Sequence, residues 1–332
     1  MKKKKIESFR NKEGYINLNG LESYREKGEV VEGSNAKTWF NVDGVRILFK
    51  EYNSVLPAFG EVLYSKVGNS VNVNCAEYDF AEYNGKKGTI SYDFLKEDEV
   101  YYNCLELTTQ FKDTNFSLKE ICEDRGLLVI HNNKHNNLAS IKDLFQELFN
   151  IGKEDKKNSE IELVKMFCLD TIFWHRDRNL WNYGIIINEV SDKMKFSPLH
   201  DNSCVLCLEK GKEYIENMII RLINGGKIDS LDAGVSVFNS DFGEDTSIDQ
   251  LINFYENSSA EIKKVVEEIV RDIDAEKIIK EVNNVCKIDE VSMLWIKAVL
   301  NYRRITILNG IESVKIIEDV AEKPNVTFSK RK

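Results

Sequence analysis

The dominant hydrophobic period shifts along this 332-residue chain, from two in the first hundred residues to about 3.6 from about residue 140, and that shift limits what the chain can fold into. In the first hundred residues, stretches such as Val45-Arg46-Ile47-Leu48-Phe49-Lys50 and Gly88-Thr89-Ile90-Ser91-Tyr92-Asp93-Phe94 suit short strands joined by turns. One helix interrupts them over residues 59–67, where Phe59, Val62, Leu63 and Val67 recur at helical spacing after Pro57. From about residue 140 the stripes are helical: Ile141, Leu144, Phe145 and Leu148, then Ile161, Val164, Phe167 and Cys168. Residues 248–254, 260–270, 275–282 and 291–308 continue the pattern, with Gly310 as the expected stop of the last helix. An α+β chain of two lobes follows, a strand-rich N-lobe with one main helix and a mostly helical C-lobe. The acidic stretch 97–100 is the expected connector, dividing the chain into 1–97, 98–321 and a basic tail at 322–332.

Composition removes several function classes. A formal charge of −9 repels phosphate backbones, so direct nucleic-acid binding is not expected. The lysines at positions 2–5 are not followed by an apolar run, so no secretion signal is expected. No window reaches the roughly 20 apolar residues that cross a bilayer. The cytoplasm is the default location, with export by a route that needs no signal peptide left open. Seven scattered cysteines read as reduced core residues. Cys204 and Cys207 have CxxC spacing, but no second pair completes a zinc site, and two faces of a strand explain them.

The strongest chemical signal is His175-Arg176-Asp177, followed after four residues by Asn182, the catalytic-loop spacing of protein kinases. Asp177 suits the carboxylate that accepts or orients the proton of an attacking hydroxyl, and Asn182 offers an amide oxygen to magnesium. The run follows an apolar helix over 161–174 and precedes an expected hairpin over 183–199. That hairpin returns Asp201 towards Asn182 as a second metal ligand, in the role of the kinase D-F-G aspartate but without its phenylalanine and glycine. His175 and His200 flank the site, and supporting hydrogen bonds are expected of both.

The N-lobe should then hold a nucleotide. Glu32-Gly33-Ser34-Asn35-Ala36-Lys37-Thr38-Trp39 reads as a small-residue loop able to cradle phosphates, although it is neither a Walker A sequence nor a full G-x-G-x-x-G. Lys50 closes an apolar strand, the position from which an ammonium meets the α- and β-phosphates. Glu61 is the candidate partner of Lys50, an exposed glutamate near a helix start being the competing explanation.

Asp177-Arg178 with Asn182 and Gly184, then Pro198-Leu199-His200-Asp201, resembles the HipA-like serine/threonine kinases, whose pattern runs D-R-H-x-x-N and then P-L-x-D. The similarity spans roughly residues 32–207 and is nearest to the short, stand-alone members that lack an extra N-terminal subdomain. It implies a two-lobed protein-kinase-like fold related to phosphoinositide kinases, with ATP and magnesium as cofactors and γ-phosphate transfer to protein Ser or Thr. It also implies adenine binding near residues 91–95, with Asp93 and Phe94 in contact, Arg178 among the catalytic groups, and room for an antitoxin-like partner. Asn179 stands where the family usually has histidine, and His200 precedes Asp201 where an aromatic is common; neither change removes a metal ligand. By the same resemblance Ser34 is a candidate for autophosphorylation.

Two other readings use the same residues. A kinase-fold enzyme acting on a small molecule or lipid headgroup needs the same centre. A catalytically silent binding module would not need Asp177, Asn182 and Asp201 intact. In the last helix, Trp295 is expected in the core, with Arg303 and Arg304 pointing outward.

Overall fold

The computed structural model describes residues 6–24, 36–104, 106, 156–178, 181–226 and 247–321. Gly33, Ser34, Asn35, the 141–148 stripe and the 322–332 tail lie outside them. Strands β1 (Ile16–Asn17), β2 (Ser23–Tyr24), β3 (Lys37–Val42), β4 (Val45–Glu51), β5 (Tyr78–Tyr83) and β6 (Lys86–Tyr92) form one sheet in the order β1-β5-β6-β4-β3-β2. Lys37 and Thr38, expected in a loop, are paired strand residues, with Lys37 opposite Lys50.

Alternation along β4 and β6 sets the site. Ile47, Phe49 and Ile90 enter a small core with Ile6, Ile16, Phe40 and Ala81. Lys50 and Thr89, paired directly across the two strands, therefore project from the opposite face, towards helix α1 (Val55–Ser70). That helix starts earlier than Pro57 predicts: Ser54 is extended and its hydroxyl accepts the Leu56 N–H at 3.3 Å. Pro57 falls in the first turn, where a missing N–H costs no hydrogen bond. Glu61 is consequently a mid-helix residue and completely buried, not an exposed one near the helix start.

Strand β7 (Glu99–Asn103) pairs with β8 (Gly184–Asn188), which pairs with β9 (Met194–Phe196). The expected hairpin is present, and the acidic stretch read as a connector runs into its third strand. Gly184 is required by close approach, since a Cβ there would lie 2.0 Å from the Tyr102 carbonyl oxygen.

Helices α2 (Lys156–Ile172), α3 (Lys212–Ile223), α4 (Ser247–Glu256), α5 (Ala260–Asp272), α6 (Ala275–Val285) and α7 (Glu290–Ala321) build the rest. Helix α7 runs through Gly310 instead of stopping there; a Cβ on Gly310 would lie 2.2 Å from Ile252 Cδ1, so glycine lets α7 approach α4. Trp295 is buried as expected, its indole N–H donating to the Leu206 carbonyl at 2.7 Å. Arg303 is not outward: it is 1% exposed, donates to the Thr171 carbonyl at 2.7 Å and lies over the Trp174 ring. Arg304 satisfies end carbonyls of α5 at Val270 and Arg271. One continuous core joins α1 to these helices, so α1 is packed from both the sheet and the helical side.

Candidate active site

Three separate elements meet at Lys50. From β4, its ammonium lies 3.4 Å from Glu61 on α1, 3.4 Å from the Ser203 hydroxyl, and in direct contact with the Asp201 carboxylate. Glu61 is anchored independently by the Tyr52 hydroxyl at 2.6 Å and the Thr89 hydroxyl at 2.7 Å. A buried carboxylate needs such donors. Burial works against charge on Lys50, but Glu61 and Asp201 outweigh it and hold the pKa above the usual lysine value. Burial likewise opposes ionisation of Asp201, and Lys50 overrides it, keeping Asp201 a carboxylate. Asp201 adopts a left-handed backbone, φ 54°, and its N–H donates to the Tyr78 hydroxyl at 3.0 Å. Such conformations persist where surrounding contacts over-determine them.

The described residues on either side of 179–180 are held from beneath. Arg178 is completely buried. Its guanidinium forks onto Asp170 at 2.9 and 3.1 Å, reaches the Asn202 side chain at 2.7 Å, and donates to the backbone carbonyls of Asn182 at 3.2 Å and His200 at 2.9 Å. It thus ties the Asn182 end of the loop to the residue before Asp201, and its donors are spent on the protein's own groups. Asp170 is further bound by the Tyr64 hydroxyl of α1 at 2.6 Å. Burial would raise the Asp170 pKa, yet Arg178 and its neighbours bring it below the usual carboxylate value.

Asp177 is exposed above this layer. Its N–H donates to His175 Nδ1 at 3.2 Å, and its carbonyl accepts the Asn182 amide N–H at 2.6 Å. The Cys204 thiol is pushed up to about 12 by burial and then by the charges of Asp177, Glu209 and Asp201. Cys204 and Cys207 are both free thiols, and Arg176 approaches Cys207 Sγ at 3.6 Å.

His175 is a neutral support: burial, with the Arg178 charge adding to it, pushes its pKa down to about 3. The folded state therefore binds fewer protons than the unfolded chain below the ordinary histidine value. Its contribution to stability is present above about pH 6.5 and is lost as pH falls towards about 3. Replacing His175 with Asn should flatten the pH dependence of unfolding between about pH 6 and 4 by up to about 1.4 kcal/mol per pH unit. Urea titrations across that range measure it, and unchanged slopes would contradict a buried neutral ring.

The other expected residues fall around this centre. Ala36 and Lys37 lead into β3, the Ala36 carbonyl accepting the Glu51 N–H at 2.9 Å, and Lys37 contributes to holding Asp201 ionised. Thr38 is opposite Phe49. Asp93 pairs with Arg46 at 3.2 Å and accepts the Leu95 N–H at 3.0 Å. The Phe94 ring packs against Tyr101 and His200, with centroids 5.8 and 5.9 Å away. His200 Nδ1 faces the Pro198 carbonyl at 3.1 Å.

Asn182 and Asp201 suit a magnesium ion in donor chemistry. The Asn182 amide nitrogen is committed to the Asp177 carbonyl, which leaves its oxygen as the available donor, and Asp201 stays ionised. Among the described residues no three His, Cys, Asp or Glu side chains converge as a metal cage. Magnesium held between one or two protein oxygens and substrate phosphates does not need one.

Sequence reasoning passed over Tyr52, Tyr64, Thr89, Asp170 and Asn202. Asp170 left a trace, a carboxylate inside the apolar run Met166-Phe167-Cys168-Leu169-Asp170-Thr171-Ile172, where only a buried partner makes it tolerable.

Among the described residues, a strand-rich lobe with one main helix, a shared core and a mostly helical lobe make a two-lobed, kinase-like fold. The solved Helicobacter pylori proinflammatory kinase CtkA has this fold, with a TM-score of 0.65 and 15% identity over 92% of this chain and 99% of CtkA. HipA of Shewanella oneidensis MR-1, solved with HipB and operator DNA, superposes more loosely, with a TM-score of 0.45 and 14% identity over 88% of this chain and 67% of HipA. No protein-family model and no curated protein sequence matches the chain. Among the described residues no helix is long and apolar enough to cross a membrane.

Proposed function

We propose that this chain is an ATP- and magnesium-dependent serine/threonine protein kinase of HipA-like type. The observation that carries the proposal is the convergence on Lys50 of Glu61 from α1 and Asp201 from beyond the β8–β9 hairpin. Phosphoryl transfer asks for that arrangement: a fixed cation at the phosphates and an ionised carboxylate beside it.

In this reading the lobes are residues 1–97 and 98–321, and adenine lies against Asp93 and Phe94. Gly33, Ser34, Asn35, Ala36 and Lys37 would meet the phosphates, with Thr38, whose side chain shares the Phe49 face, contributing only its backbone. Glu61 keeps Lys50 in place while its ammonium turns from Asp201 to the α- and β-phosphate oxygens. Asn182 and Asp201 would hold magnesium, which when bound neutralises phosphate charge. Asp177 accepts the proton of the acceptor hydroxyl as the Ser or Thr oxygen bonds to the γ-phosphorus and the bond to the departing ADP oxygen breaks. Arg178 is a positioning residue, acting through the carbonyls of Asn182 and His200.

Incubation of the purified chain with γ-labelled ATP and magnesium, alone and with lysate, tests this. Label on protein Ser or Thr is expected, with Ser34 as one candidate acceptor, and the labelled lysate proteins would reveal substrates or an antitoxin-like partner. Label appearing only on added small molecules would replace the protein acceptor, and no turnover with any divalent metal would overturn the proposal.

A further inference from the structure

A cavity of about 300 Å³ lies where the start of α1, the β5–β6 turn and the segment around Tyr15 meet Cys286 at the end of α6. Its volume is at the lower end of the range for small-molecule sites. Tyr15, Tyr52, Phe80, Val55 and Ala58 give the apolar part of the lining, and Asn53 and Ser54 are among its polar part. The charged side chains in the lining are Lys86 and Lys87, with no carboxylate among them. Each lysine pairs with an acid outside the lining, Lys86 with Glu51 at 3.0 Å and Lys87 with Glu13 at 2.8 Å, and the Lys87 ammonium also lies 4.4 Å from the Tyr15 ring centroid. Both lysines are well exposed in these pairs, and ion pairs of that kind hold weakly, so both ammonium groups can turn to a guest anion.

Tyr52 connects this cavity to the ion-pair centre. Its ring lines the cavity, its hydroxyl donates to Glu61 at 2.6 Å, and the Lys50 ammonium sits 5.2 Å from its ring centroid. A molecule packed on Tyr52 therefore bears on the residue that anchors Glu61. It would also bridge Cys286 and the first turn of α1, drawing on sequence-distant parts of the chain.

We propose that this cavity is a binding site for a small aromatic carboxylate, its ring held among Tyr15, Tyr52 and Phe80 and its charge met by Lys86 and Lys87. Occupancy acts through Tyr52 on the hold of Glu61 over Lys50, and this second part rests on the kinase reading.

Saturation-transfer NMR on the full chain, with 3-phenylpropionate and indole-3-acetate as probes and their uncharged amides as controls, tests the site without nucleotide. The acids should bind about tenfold more tightly than the amides, and about tenfold more weakly to Lys86→Ala/Lys87→Ala, whose changes are at exposed side chains. Ala58→Phe, which fills the cavity, should abolish transfer, with circular dichroism confirming that each variant is folded. No transfer to wild type, equal binding of acid and amide, or full binding by both folded variants overturns the site. For the coupling, 3-phenylpropionate should shift the affinity of wild type for a fluorescent ATP analogue, and the shift should vanish in Tyr52→Phe while acid binding persists. An equal shift in Tyr52→Phe overturns the coupling. A chain that binds the acids but no ATP overturns the kinase reading and leaves the site standing.

Discussion

Asp177→Asn should lower the rate of phosphoryl transfer to a protein hydroxyl by about 100- to 10,000-fold, the range over which a positioned general base contributes. The variant retains the N–H that bonds His175 and the carbonyl that holds Asn182, so the loop keeps its shape. Asp177 is exposed, so thermal stability should move little, within about 0.5 kcal/mol. Nucleotide affinity should also be preserved, because the proposed reading gives the cation at the phosphates to Lys50, on another element. Asp201→Asn is the informative contrast. It removes the carboxylate that contacts Lys50 and should weaken both magnesium-dependent nucleotide binding and turnover. Single-turnover rates with labelled ATP, alongside nucleotide titrations, separate the two. Equal loss of nucleotide affinity in both variants would contradict the assignment of Asp177 to proton transfer.

Arg178→Leu should destabilise the fold by about 3 to 5 kcal/mol, the usual cost of removing one partner from a buried ion pair. Asp170 would be left buried with only the Tyr64 hydroxyl among its present side-chain donors, and the carbonyls of Asn182 and His200 would lose theirs. The sign of the pH dependence follows from linkage. In the wild type the Asp170 pKa is depressed, so its contribution is present above the ordinary carboxylate range and fades as pH falls through the lower folded value. Without Arg178, burial raises that pKa, so the variant's deficit should be largest near neutral pH and shrink as acid protonates Asp170. Adding Asp170→Asn to Arg178→Leu should recover part of the loss, because no uncompensated charge remains. Urea denaturation of the single and double variants at two pH values measures both effects. Additive losses would show that the two residues do not act as a pair.

Much of the fold could be read along the chain because periodicity is a local property. The β4 alternation of Ile47 and Phe49 against Lys50, the hairpin after Asn182 and the amphipathic stripes of α4 to α6 each require one face towards a core and one away. Pattern reading weakened where an element is covered on several sides. Helix α1 is buried along most of its length, so its start was misplaced and Glu61 could not be told from a surface glutamate. Strand β7 looked like an acidic connector because it belongs to a three-stranded sheet whose other members lie some eighty residues later. Gly310 looked like a stop because glycine ends helices more often than it relieves a helix crossing.

Spacing and residue type in the sequence alone determined where the candidate chemistry lies: Asp177, Asn182 and Asp201 around a hairpin, and a lysine closing an apolar strand. Only the tertiary structure decided what holds these groups. It seats Lys50 between Glu61 and Asp201, turns Arg178 from an apparent reactive group into the buried tie beneath the loop, and hides Arg303 against Trp174. A buried charge persists only where opposite charges and hydrogen-bond partners surround it. Those partners come from distant segments, here as far apart as Tyr64 and Asn202 around Arg178, and no local pattern records their meeting.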